Sequence, residues 1–326
     1  MNPFRTGSQG TMQLIEHISE ISHPFKDAVV TIGNFDGVHK GHVALFRQVR
    51  DRADSLQGTA VAITFDPHPL VVVRPERRPP LITLREQKIE LFTASGLLDI
   101  LMVLPFDREF ASIPAENFIR DFLIKTIGMK AIVIGPDYAF GRNREGNIHL
   151  LEKMGKELGF EVIVPGWITP DNMEDRISST RIREVVGKGD VTAAVPMLGR
   201  YYQVRGEVET GRQRGGRLLG FPTANIRLQD ELCPASGVYA VTVETPCGRH
   251  TGVANIGYSP TFDDNIFTVE VHILDFSENL YGQQIRINFV ERLRGEKKFS
   301  GIEALSEQIQ KDIIRAREIF HEKKLV

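Results

Sequence analysis

Hydrophobic positions in the first part of the chain alternate between two textures. Runs of β-branched and apolar residues at 29–32, 59–65, 100–104, 131–135 and 162–165 read as strands buried on both faces. Between them the apolar positions recur at helical spacing: Val43, Leu45, Phe46 and Val49 after Gly41, then residues 115–127, then a helix running through Val185 and Val186. Thr83-Leu84-Arg85-Glu86 has the pattern of a capping box opening another helix. The two prolines of Asp66-Pro67-His68-Pro69 predict a rigid, non-helical loop, followed by a basic, proline-rich piece at 74–80. Strands alternating with helices predict an open, mostly parallel sheet.

Helical pattern continues from Asp190 to Leu198, and near Tyr201 the texture changes. Short alternating strands at 202–208, 237–243, 250–256, 268–274 and 284–290 are separated by turn signals, which predicts an antiparallel sheet or small barrel. One amphipathic helix from Gly301 to about Lys323 closes the chain, with Leu305, Ile309, Ile313, Ala316 and Phe320 on one face. The boundary therefore falls near Met197, giving domains at 1–197 and 198–326. At 326 residues the chain has room for both.

Composition narrows the function classes. With 40 Lys+Arg against 42 Asp+Glu, the net charge of −2 weighs against a general nucleic-acid binder or a membrane-surface protein. No apolar run approaches the ~20 residues that span a bilayer. The first residues, MNPFRTGSQGTMQ, lack the apolar stretch of a signal peptide and read as an extension. Cys233 and Cys247 have no metal-ligand spacing, so free thiols in a reducing, cytoplasmic setting are expected, with a disulfide between them left open.

The chemistry concentrates where strands end. After residues 29–32 the chain breaks on Gly33-Asn34-Phe35-Asp36-Gly37 and carries His39-Lys40-Gly41-His42 into the next helix. A helix N-terminus there offers unpaired N–H groups to an anion, and two imidazoles flanking a glycine can converge on one phosphate. The loop is neither a Walker A loop nor a dinucleotide fingerprint. The plainer alternative is that the histidines merely cap the helix, and that Asp36 closes the turn. Asp66-Pro67-His68-Pro69 and the segment from Gly135 through Asp137 to Gly141 fall at the ends of further strands, where open parallel sheets bind ligands. Ser178, Ser179 and Thr180 can cap a helix with Arg181 in its first turn, offering hydroxyls, N–H groups and a guanidinium to phosphate oxygens. In the second half a Gly/Arg-rich stretch at 211–217 reads alone as a solvated loop or an RNA contact. Glu270, alone, reads as a residue on the wet face of a strand.

Together these stretches resemble a known family. GNFDGVHKGH (33–42) is similar to the HxGH signature of the nucleotidyltransferase α/β-phosphodiesterase superfamily, in the form found in bacterial bifunctional riboflavin kinase/FAD synthetases. ISSTRIR (177–183), the GxDFxFG-like segment at 135–141, LGFPTAN (219–225), NIGYSPTF (255–262) and the strand around Glu270 resemble the same family in the same order. Pro136, Tyr138 and Ser259 depart from its pattern. The resemblance implies a Rossmann-like nucleotidyltransferase domain followed by a riboflavin kinase barrel with a terminal helix. It also implies two reactions: riboflavin plus ATP to FMN, then FMN plus ATP to FAD and pyrophosphate.

In the first domain the resemblance puts His39 and His42 on the phosphates, with Gly33, Phe35, Asp36, Gly41, Ser178, Ser179, Thr180 and Arg181 around the nucleotide. Phe65, Pro67, Asp137 and Phe140 would hold the flavin. The FMN phosphate is already anionic, so its attack on the α-phosphorus requires no general base. In the second domain Gly211, Arg217 and Gly220 would wrap ATP, Thr223 and Asn225 would present oxygens to Mg²⁺, and Arg294 would contact the flavin. Glu270 would deprotonate the riboflavin 5′-hydroxyl. Implied partners are riboflavin, FMN, FAD and ATP/ADP, without nucleic acid or membrane; a homo-oligomer is left open. The rivals are another adenylyl- or cytidylyltransferase, which gives no reason for a kinase-like barrel, and a flavin-binding regulatory module without catalysis.

Overall fold

A computed structural model describes residues 12–166, 176–209, 221–228, 230–258 and 267–325. By its Cα packing the chain falls into two compact units, one running to Ser178 apart from Pro80–Ile82, the other made of Pro80–Ile82 and everything from Ser179.

The first unit is a six-stranded parallel sheet of β1 (Gln13–Ile15), β2 (Ala28–Ile32), β3 (Ala60–Asp66), β4 (Ile100–Pro105), β5 (Met129–Val133) and β6 (Glu161–Ile163), in the order β1-β4-β3-β2-β5-β6. Every position of β2 is buried, as a central strand covered on both faces requires. Successive residues serve opposite cores. Val30, Ile32, Ile63, Met102 and Ile132 face one core, and Val29, Ala62, Val103 and Ala131 face the other. The first core is covered by a helical stretch that opens as α5 (Ala115–Asn117) and widens to a π-helix at Phe118–Thr126, and by α6 (Ile148–Leu158). The second is covered by α1 (Lys40–Leu56) and α3 (Arg85–Ser95) through Phe46, Val49 and Phe92.

Strand order reverses direction between β2 and β5, which opens a crevice at their carboxyl ends. The predicted parallel sheet is therefore present. It gains the edge strand β1, which is too short to show a pattern.

Two local expectations change. Asp66-Pro67-His68-Pro69 does not exclude helix: Pro69 begins the short α2 (Pro69–Val73), because proline at a first helical position sacrifices no hydrogen bond. His68 caps that helix, its Nδ1 accepting from Leu70 N–H at 3.2 Å. Nor is Thr83 a helix cap. Leu84 occupies that position without a side-chain bond, and the Thr83 hydroxyl is spent on the turn after β2. The short α4 (Arg108–Ala111) is capped by Asp107.

In the second unit β7 (Tyr202–Glu209), β8 (Ala224–Arg227), β9 (Gly237–Thr245), β10 (Gly248–Tyr258), β11 (Phe267–Ile273) and β12 (Gln284–Arg294) form a closed antiparallel barrel. Its order is β10-β11-β8-β7-β12-β9, with β9 and β10 closing the ring. Tyr239, Val241, Ile287, Phe289, Val269 and Val271 are fully buried, while outward residues alternate with them. The last helix, α9 (Ile302–Glu322), sets Ala316, Ile319 and Phe320 on the outer face of Val238, Ala240, Val253 and Val290. Helices α7 (Ser179–Gly187) and α8 (Val191–Leu198) also belong to this unit. Arg183 Nε donates to Pro80 O at 2.9 Å, and Leu81 pairs with the chain around Glu231. Both cysteines are free thiols, and burial pushes Cys233 up to about 12.

Candidate active sites

The turn after β2 is built against its own backbone preferences. Phe35 and Val38 adopt φ of +46° and +36°, a region L-residues rarely enter and β-branched ones least of all. Side chains hold it there. The Phe35 ring is buried edge-on to Phe46 and Phe92, with centroids 5.2 and 5.6 Å away. Asp36 is 3% exposed, and its Oδ1 accepts from Thr83 N–H at 3.0 Å and from the Thr83 hydroxyl at 3.2 Å. The same hydroxyl accepts from Gly37 N–H at 3.0 Å. The carboxylate thus closes the turn.

His39 is the cap of α1, its Nδ1 accepting from His42 N–H at 3.3 Å, so one of the two histidines does cap the helix. The two imidazoles stack, with centroids 3.5 Å apart and planes 18° from parallel. Gly41 permits this: a Cβ there would stand 3.1 Å from the His39 ring. The next nearest atom is the Ile177 Cβ at 3.9 Å, which brings the start of ISSTRIR to the same turn. Gly33 makes similar room for the Phe35 ring. The turn therefore presents two imidazoles and the first N–H groups of a 17-residue helix, an arrangement suited to phosphate.

Ser178 ends the first unit and Ser179 starts α7 in the second. Thr180 is exposed, and Arg181 Nη1 pairs with Glu184 at 2.7 Å. Lys188 and then Arg181 hold the Glu184 carboxyl down to about 2.

Aromatic rings line the ends of β3 and β5. Phe65 meets Phe106 and Phe110 at 5.3 and 5.4 Å, Phe110 meets Phe118 at 6.0 Å, and Phe118 meets Phe140 at 5.8 Å. Tyr138 stacks on Phe140 at 5.4 Å and 17°. The structure thus joins Phe65 and Phe140 in one aromatic wall, with Pro67 exposed just after Phe65 and Asp137 exposed beside Tyr138. Such a wall can accept a flat ring by stacking.

In the barrel Glu270 stands on β11 between Asn225 of β8 and Asn255 of β10 in register. Their parity is outward, opposite to Val269 and Val271. Glu270 is half-buried, and burial pushes its carboxyl above the usual range. Thr223 lies just ahead of β8, and its carbonyl accepts from the Asn225 amide at 3.4 Å. Two residues along β11, the His272 Nδ1–H donates to Pro222 O at 2.8 Å, and its ring meets Phe221 edge-on.

Arg294 is committed to α9: Nε and Nη2 reach the Asp312 carboxylate at 3.0 and 2.8 Å, with Asp312 only 5% exposed. Gly211, Arg217, Gly220 and the 259–262 part of NIGYSPTF lie outside the described residues. Among the described residues no cluster of His, Cys, Asp or Glu could hold a metal by itself, and no helix is long and apolar enough to cross a membrane.

Two residues at the first site carry no sequence signal: Thr64 of β3 and Lys88 of α3 reach the Asn34 carbonyl of the turn, each as an isolated polar residue. His68 and Thr83 stand in stretches read for other roles.

Comparison with known proteins fits both halves. A family model described as FAD synthetase matches residues 21–181, and one described as riboflavin kinase matches residues 198–320. The bifunctional riboflavin kinase/FMN adenylyltransferase of Haemophilus influenzae is 37% identical over 95% of this chain and all of its own length. The protein of the same name from Escherichia coli K12 is 36% identical over 95% of this chain and 98% of its own. A solved structure named as a macrolide-efflux protein from Streptococcus pneumoniae superposes with a TM-score of 0.79 at 32% identity, covering 94% of this chain and 99% of that one. With a nucleotidyltransferase-like sheet and a kinase-like barrel matched in order along one chain, this protein belongs to the bifunctional riboflavin kinase/FMN adenylyltransferase family.

Proposed function

We propose that the two units each carry one step of flavin cofactor synthesis: the barrel phosphorylates riboflavin with ATP to FMN, and the sheet unit transfers the adenylyl group of a second ATP to FMN, releasing pyrophosphate. The observation that carries the reading is the stacked His39/His42 pair at the N-terminus of α1, on the same chain as the Asn225–Glu270–Asn255 row. In the sheet unit the FMN phosphate attacks the α-phosphorus directly. The imidazoles and the α1 N–H groups stabilise charge on the phosphorus and the leaving group, with Gly33, Phe35, Asp36 and Gly41 shaping the turn. Ser178, Ser179, Thr180 and Arg181 bind the nucleotide, and Phe65, Pro67, Asp137 and Phe140 seat the flavin.

In the barrel Glu270 takes the proton of the riboflavin 5′-hydroxyl as it attacks the γ-phosphorus, a role its raised pKa suits. Thr223 and Asn225 offer hard oxygens beside that carboxylate, which fits Mg²⁺, an ion bound by one or two protein oxygens plus substrate phosphates. When bound, Mg²⁺ would neutralise charge on the transferring phosphates. Gly211, Arg217 and Gly220 wrap ATP, and Arg294 borders the flavin. The same reading assigns residues 1–197 and 198–326 to the two activities and the protein to the cytoplasm.

The test is incubation with riboflavin, ATP and Mg²⁺, following flavins by chromatography. FMN should appear, then FAD. Glu270→Gln should stop FMN formation while added FMN still becomes FAD, and His42→Ala should do the reverse. Absence of both products from the parent protein would end the reading.

A further inference from the structure

The turn that presents His39 is strained, and something must hold it. Phe35 and Val38 both sit at positive φ, and the Phe35 packing and the Asp36–Thr83 bonds hold one side of the turn. A second fixed point is the Asn34 carbonyl. It accepts from the buried Thr64 hydroxyl of β3 at 3.2 Å and from Lys88 Nζ of α3 at 3.1 Å.

Lys88 is only 8% exposed, an unusual place for a lysine. Burial pushes its pKa below the ordinary value, while the carboxylates of Asp36 and Asp66 pull it back up. The ammonium donates to the backbone of the loop that ends in the histidine pair. On the other side the Asn34 amide lies 3.2 Å from His68 Nε2.

We propose that Lys88 is a positioning residue for adenylyl transfer: by tying α3 to the Asn34 carbonyl it holds the β2–α1 turn in the strained form that aims His39 and His42 at the nucleotide phosphates. This rests on the proposed adenylyl transfer at that turn. It assigns to α3, through Lys88 and the neighbouring Thr83–Asp36 bonds, a role in catalysis without contact to substrate. A stabilising interaction made by correctly aimed donors acts mainly in the transition state, so loosening the turn lowers kcat and leaves KM nearly unchanged.

The experiment is Lys88→Met, which keeps an unbranched side chain up to the ε position and removes the donor, assayed for both activities in the full chain. We expect kcat of FMN adenylylation to fall about tenfold or more, with KM for FMN and ATP within about twofold and riboflavin phosphorylation at the parental rate. A parental adenylylation rate in Lys88→Met overturns the proposal, as does a loss carried by KM alone. Should Lys88→Met also lose kinase activity, Thr64→Val decides, since it strips the other donor from the same carbonyl at constant shape. A kcat-only loss of adenylylation supports the pin, and parental adenylylation overturns it. Failure of the parent protein to adenylylate FMN is a different result, and falls on the function of the site rather than on Lys88.

Discussion

A base that removes a proton from a hydroxyl works best with a pKa near the working pH. Burial shifts Glu270 in that direction, above the ordinary glutamate value of 4.5. The sign follows: phosphorylation needs the carboxylate ionised, so the rate should rise as pH climbs through a value above 4.5. A pH profile of kcat/KM for riboflavin checks this, and an acid limb at or below the usual carboxylate range would count against Glu270. Glu270→Gln should lower the rate by about a hundredfold or more. At the other site Gly41→Ala places a Cβ 3.1 Å from the His39 ring, so that ring must give by a few tenths of an ångström against its stacked partner His42. We expect FMN adenylylation to drop about tenfold or more while kinase activity stays parental; unchanged adenylylation would show that the stack is not needed. Glu270 and Gly41 stand out in the sequence through the stretches that resemble the family. Thr83 and Lys88 do not, since their partners Gly37 and Asn34 lie 46 and 54 positions away and a lone polar residue near a helix start looks like a cap.

The elements best read in advance were the long ones with a clear period, such as β2, β3, α1 and α9. The elements not read in advance include one full helix, α6 (Ile148–Leu158), and strands that are short or depend on partners. β1 has three residues and exists by pairing with β4, and β8 has four and exists by closing the barrel between β7 and β11. Helix α9 shows how pattern and packing diverge. Its apolar stripe places Ala316 and Phe320 in the core as expected, but the same contact buries Asp312. The bidentate Arg294 pair makes that possible, joining the end of β12 to the middle of α9. Removing one partner of a buried pair strands the other charge. Asp312→Ala should therefore destabilise the barrel unit by about 3 kcal/mol. Thermal inactivation of the kinase should shift to lower temperature; an unshifted curve would make the pair dispensable. Because Arg294 is so engaged, a flavin contact from it would have to come through Nη1, which now donates to Gly295 O.

The sheet and the barrel each have their own hydrophobic core, and whether their two proposed sites work independently can be tested. The product of one is the substrate of the other, and FMN carries the phosphate that the second reaction uses as its nucleophile. If FMN leaves the barrel into solution and is captured afresh, the two halves need not be active on the same molecule. A mixture of Glu270→Gln and His42→Ala proteins, each deficient in one step, should then convert riboflavin to FAD. FAD should appear after a lag that shortens as the concentration of the His42→Ala protein rises, because that variant alone supplies FMN. The measurement is a chromatographic time course of all three flavins, with each variant alone as control. FMN building up without FAD in the mixture, while the Glu270→Gln protein adenylylates added FMN normally, would mean that FMN reaches the second site only within one chain. Independent sites predict the opposite: FAD from the mixture at a rate set by free FMN.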